Sequence, residues 1–172
     1  QAIRDKVDVP MVAAGGTVDG RGMAAAFSMG AEAIQMGTRF VSSKESPVHS
    51  NYKNAIIDAE DTGTVVLNKK ATPCIRALKT NRTQEIYEEG YMPKDMFARI
   101  QDLYFKGEME ASAGLAGQSA ALITEEKSVA DIIDETVTGF RQICSRMGGM
   151  AESGFKSAIL KSLFFGFPVS VG

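Results

Sequence analysis

The chain has 172 residues, of which 44% are hydrophobic and 23% charged, and it carries a formal net charge of −2. That balance is usual for a globular domain, and no long basic run gives nucleic acid an electrostatic footprint. The two cysteines, Cys74 and Cys144, lie far apart with no CxxC spacing, which fits a reduced compartment, and a cytoplasmic location is the expectation.

Residues 1–8 read as the tail of a helix, with Ile3 and Val7 apolar four positions apart. Val9–Ala14 is a short apolar run broken by Gly15-Gly16 and is expected to be a buried strand. Asp19 stands where a helix N-cap belongs. Met23–Met29 then reads as a small-residue helix, closed by Gly30. Ala31–Met36 is the second expected strand and ends at Gly37. The unit occupies about 30 residues, the size of a strand–helix–strand crossover.

Ser46–Asp61 reads as a helix with Tyr52, Ala55, Ile56 and Ala59 on one side. Thr64–Leu67 is β-branched and expected to be extended. Asn68–Arg82 is polar, contains Pro73 and reads as a loop. Pro93–Lys106 is expected to be helical and to end at Gly107. Gly114–Ile123 is small and apolar, suited to tight packing or to a ligand approaching the backbone. The strongest helix pattern spans Val129–Met147, with Val129, Ile132, Ile133, Val137, Phe140, Ile143, Cys144 and Met147 on one stripe. Ser128 and Asp131 form its capping box, and Gly148-Gly149 are expected to stop it. The apolar segment 158–171 is interrupted by Lys161, Gly166 and Pro168 and is shorter than the ~20 residues of a membrane helix. No membrane partner is expected.

Two apolar strands that each end in a glycine loop suggest the last βα units of a (β/α)8 barrel, whose paired loops hold a phosphate. A barrel takes about 250 residues. The expected fold is therefore α/β, an incomplete TIM barrel with additional helices. Residues 1–150 form its C-terminal part, and 151–172 form an apolar tail of uncertain origin. On this reading an N-terminal portion of a larger protein is missing.

A phosphate needs inward-pointing N–H donors with no side chains in the way, and glycine turns supply them. Gly15, Gly16 and Gly37 fill that role, with the Thr38 hydroxyl as a further donor and Arg39 as a source of charge. Asp19 caps its own helix, so the anion belongs on the glycine amides. Gln35 could hydrogen-bond a cofactor and Met36 could pack on a flat ring. His49 is the only histidine, and no carboxylate or cysteine pattern around it suggests catalysis or metal binding. Cys74 lacks an activating base. Glu108 and Glu110 read as solvated loop carboxylates.

The segment AAGG-T-V-DGRG…AAAFSMGAEAIQMGTRF, then SKESPVHSNYKNAI and GEMEASAGLAGQSAALI, resembles the nitronate monooxygenase family, with the FMN-dependent enoyl-ACP reductases as close relatives. The resemblance covers about residues 1–145. It implies a TIM-barrel flavoenzyme that binds FMN non-covalently. Gly15 and Gly16 match the phosphate-binding glycines, and Gln35, Met36, Gly37 and Thr38 match the run that cradles the same phosphate. Gly117 and Gln118 match a second loop near the flavin. The family's catalytic histidine has no counterpart here, since His49 does not match it, so no catalytic residue and no metal ligand are assigned. The implied reaction is oxidation of a nitronate by FMN and oxygen. Reduction of an enoyl thioester with FMN and NAD(P)H is the alternative, and a non-catalytic fragment is a third reading. Small-molecule substrates are the expected partners, with room for a homodimer.

Overall fold

The computed structural model describes residues 3–152. The expected apolar tail from residue 158 lies outside the described residues. A single 3₁₀ turn at Arg4–Lys6 stands where the helix tail was expected.

Strands β1 (Val12–Ala14) and β2 (Ala33–Gln35) pair in parallel, with Val12 opposite Ala33 and Ala14 opposite Gln35. Helix α1 (Gly20–Ser28) joins them. Both strands are shorter than the apolar runs suggested, and they are not buried on both faces: Val12 is 59% exposed. Among the described residues no third strand pairs with them. Helix α1 starts three residues before Met23. The extended Asp19 backbone lets its carboxylate accept from Arg21 N (2.9 Å) and Gly22 N (3.1 Å), which satisfies the first-turn donors. Gly30, at φ +94°, follows the cap residue Met29 and closes the helix as expected.

Helix α1 packs on the last helix, α6 (Val129–Glu152). The contact is glycine-made. A Cβ on Gly20 would lie 2.3 Å from the Phe140 backbone nitrogen, and one on Gly139 would sit 3.6 Å from Gly20 Cα. Phe27 and Phe140 meet edge to face at 5.2 Å beside it. The face of α6 that buries is narrower than the sequence stripe. Ile132 and Thr136 are buried, while Ile133 is 46% and Met147 50% exposed. Ser128 Oγ accepts from Asp131 N at the start of α6. The helix does not stop at Gly148-Gly149. Neither residue has a positive φ, and the helix runs through both to Glu152. A helical glycine costs about 1 kcal/mol relative to alanine and is not by itself a terminator.

After β2 come the short α2 (Thr38–Val41) and α3 (Ser50–Ile57). Helix α3 begins at Ser50, not Ser46, because His49 is its cap: Nδ1 accepts from Asn51 N at 3.1 Å. Strand β3 (Thr64–Leu67) forms as expected. The stretch Asn68–Arg82 is not simply a loop. It contains β4 (Ile75–Leu78), antiparallel to β3 with Leu67 opposite Ile75, and leads into α4 (Asn81–Glu89). Thr80 and Thr83 close a reciprocal capping box that starts α4.

Helix α5 covers Ile100–Lys106 only. Upstream, Ser112 Oγ donates to the Met96 carbonyl at 2.7 Å, and the Ile100 N–H turns to Phe97 instead. Residues 93–99 are therefore a chain of tight turns. Gly107, at φ +73°, ends α5 as expected.

The hairpin β3–β4 divides two cores. Side chains alternate along a strand, so Leu78 enters a cluster with Val18, Tyr52, Ile56, Leu103 and Ile123. Its neighbour Ala77 enters the other cluster, with Val65, Leu67, Ile86 and Met96.

Candidate functional site: a glycine cradle beside an apolar cavity

Three segments converge at the ends of β1 and β2. Gly15 and Gly16 take φ of +92° and +76°, a backbone region that side chains disfavour. A Cβ at Gly15, Gly16 or Gly37 would meet nothing within 4 Å, so all three open onto free space. Gly117, just before a 3₁₀ turn at Gln118–Leu122, donates its N–H to Thr38 Oγ1 at 2.9 Å. This bond ties the loop after β2 to a segment 79 residues away. The result is a cavity of about 310 Å³ bounded by Gly15, Gly16, Gln35, Gly37, Thr38 and Gly117, with Thr17 and Ser119 adding hydroxyls. None of its lining residues is charged.

Most of the residues singled out in the sequence thus surround one space. Met36, half-buried, and Gln118, exposed, are not among those lining it. Arg39 does not supply charge to this cavity. It is only 7% exposed, and its guanidinium donates to the Glu125 carbonyl at 2.9 Å on the far side. Burial pulls its pKa down, against the nearby Glu135 and Glu125. Arg39 therefore anchors the segment that leads into α6.

A second cavity, of about 450 Å³, adjoins the first and shares Gly37, Thr38 and Gly117 with it. Its walls are mainly apolar, with Val41, Val48 and Leu115, and it also borders Tyr52, Tyr104 and Arg76. Tyr52 stacks on Tyr104 at 5.1 Å and donates its hydroxyl to the Leu115 carbonyl at 2.5 Å. Burial and the neighbouring Tyr104 push the Tyr52 phenol far above its ordinary pKa, so it stays a neutral donor. The small-residue stretch serves this packing: a Cβ on Gly114 would come 2.9 Å from the Tyr52 ring. Sequence reasoning missed Arg76 as a cavity residue because the polar stretch around it hid β4.

The remaining polar candidates have structural partners. His49 caps α3. Glu110 accepts from Asn81 N and Arg82 N at the start of α4, and Glu108 pairs with Arg99. Cys74 and Cys144 are free and exposed. Among the described residues, no group of three or more His, Cys, Asp or Glu could hold a metal ion. No helix there is long and apolar enough to cross a membrane.

A family model described as nitronate monooxygenase matches residues 1–139. The chain belongs to the nitronate monooxygenase family. It is 32% identical over 143 residues to a probable nitronate monooxygenase of Staphylococcus aureus, an alignment covering 77% of this chain and 40% of that protein. Among solved structures it is similar to FabK from Thermotoga maritima, with TM-score 0.81 and 39% identity over 86% of this chain and 49% of FabK. It also shares the fold of a nitroalkane oxidase from Streptomyces ansochromogenes, with TM-score 0.71 and 24% identity over 84% of this chain and 43% of that one. The chain therefore spans half or less of the length of these relatives. The family match and the similarity to FabK support an α/β fold for the chain.

Proposed function

We propose that the chain forms the phosphate-holding end of an FMN-dependent (β/α)8 barrel, with β1 and β2 as consecutive barrel strands. The observation that carries this reading is the convergence of Gly15, Gly16 and the Thr38–Gly117 bond on one uncharged cavity. The lining suits a phosphate: two glycines of positive φ leave the backbone bare, hydroxyls flank them, and no carboxylate repels the anion. In this reading Gln35, which ends β2 and lines the cavity, hydrogen-bonds the flavin. A bound flavin supplies the electron transfer, and this chain's residues fix the phosphate end and so orient the ring. The whole protein would then oxidise nitronates with molecular oxygen.

The similarity to FabK supports a second reading, reduction of an enoyl thioester by NAD(P)H through the same flavin. Oxygen uptake with a nitronate against NAD(P)H oxidation with an enoyl thioester separates the two in the whole protein.

The cofactor claim is tested on the chain itself by titrating FMN and following flavin fluorescence. The reading predicts saturable quenching, weakened at least about tenfold in Thr38→Val, as for a lost hydrogen bond to a charged group, and in Gly16→Val, where a β-branched side chain is disfavoured at φ +76° and intrudes on the cradle. Thermal melts establish that the variants fold. Equal binding by folded variants, or no saturation by the folded parent chain, overturns it.

A further inference from the structure

The second cavity contains a cation that the flavin reading does not use. Arg76 on β4 borders it, half-buried, beside Val41, Val48 and Leu115. One guanidinium nitrogen donates to Thr64 Oγ1 at 3.0 Å across the hairpin. Among the described residues, no carboxylate lies within ion-pair distance of Arg76, whereas Arg4 and Arg21 each pair with one and Arg99 with two. A guanidinium beside apolar walls attracts an anion more strongly than one in open water, because the surroundings screen it less. Its planar fork matches a head group with two oxygens in one plane. The apolar walls suit a short hydrocarbon body, and about 450 Å³ is ample for a small ligand.

We propose that Arg76 is the specificity-determining residue of this cavity, selecting a small alkyl anion whose planar head carries two oxygens, a carboxylate or a nitronate. The Thr64 hydroxyl holds the guanidinium in place, and the rest of its donor fork engages the head. The alkyl chain lies along Val41, Val48 and Leu115. This deepens the flavin reading by naming a ligand class for the space next to the phosphate cradle. Of the two cavities, Arg76 lines only the second and Gly15 and Gly16 only the first, so an anion at Arg76 and a phosphate at the glycines engage different groups.

The test contains no flavin, so its failure is distinct from failure of the cofactor reading. Pentanoate, the nitronate of 1-nitropentane and neutral pentanamide are titrated separately into the ¹⁵N-labelled chain, with amide shifts followed by NMR. The proposal predicts saturable shifts at the Leu115 and Ala116 amides with at least one of the anions. Pentanamide should bind at least about tenfold more weakly than pentanoate, or than the nitronate if that is the anion taken. Arg76→Gln should lose anion binding by a similar factor, and Arg76→Lys should recover part of it, since an ammonium keeps the charge but not the fork. The anion that binds identifies the source of the head group. Equal binding of amide and anions to the unmodified chain, or no saturable shift at these amides, overturns the proposal without reliance on any variant. So does unchanged anion binding in a folded Arg76→Gln protein.

Discussion

The two small sheets divide the work of the molecule. Strands β3 and β4 are antiparallel and sit between two cores, with Leu67 and Ala77 fully buried and Leu78 nearly so. Strands β1 and β2 are parallel, with no fully buried residue, and they lead into glycines that open onto a cavity. Packing holds the first pair. The second pair is held by the cap and helix contacts of its connection, and this leaves its strand ends free to offer backbone donors. Stability and ligand binding should therefore respond to different substitutions.

The largest effect expected is in the hairpin. Leu67→Ala empties a fully buried site and should cost about 2–5 kcal/mol in a denaturant melt. Val12→Ala on the exposed β1 should stay within about 0.5 kcal/mol. Similar losses at both sites would break the comparison. Next comes the joint between α1 and α6. Gly20→Ala drives a Cβ into the Phe140 backbone and should cost about 1–3 kcal/mol by overpacking. A neutral result by thermal melt would show that the helices separate freely. Tyr52→Phe removes the donor to the Leu115 carbonyl and should cost about 1–2 kcal/mol by the same measure.

The smallest effect is at the cap of α1. Asp19→Ala should cost about 1 kcal/mol near neutral pH. Burial works to raise the Asp19 carboxyl, but hydrogen bonds from the Arg21 side chain and from the Gly22 and Arg21 amides together hold it below its ordinary value. A carboxyl depressed on folding stabilises the folded state above its unfolded pKa, near 3.8, and loses that contribution as pH falls through the lower folded value. The gap between Asp19→Ala and the parent chain should thus be full at pH 6 and narrow below about pH 4. A gap independent of pH would mean that the carboxylate is not what caps the helix.

The strand–helix–strand unit was legible because its signals are local: two glycine breaks, an Asp cap and a terminal glycine. The glycine cradle was legible for the same reason, as was the place of Gly117, through family resemblance. Strand β4 was not. Its four residues include Arg76, and their extended form comes from pairing with β3 rather than from any pattern of their own. Helix α4 carried a readable signal, the Thr80–Thr83 capping box, hidden by the polar character of the stretch. The shortening of α5 depends on Ser112, which is 16 residues from the carbonyl it captures. Arg39 reads as a phosphate cation beside Thr38, yet a helical turn carries it to the opposite side of α2 toward Glu125.

The central claim is that a phosphate rests on the glycine amides. The most direct measurement compares FMN with riboflavin, which lacks the phosphate, in an amide-shift titration of the ¹⁵N-labelled chain. The account predicts that FMN shifts the Gly15, Gly16 and Gly37 amides and binds at least about tenfold more tightly than riboflavin, the margin of a charge-assisted hydrogen bond. Equal affinity for the two, or FMN shifts that leave these amides unmoved, would contradict it.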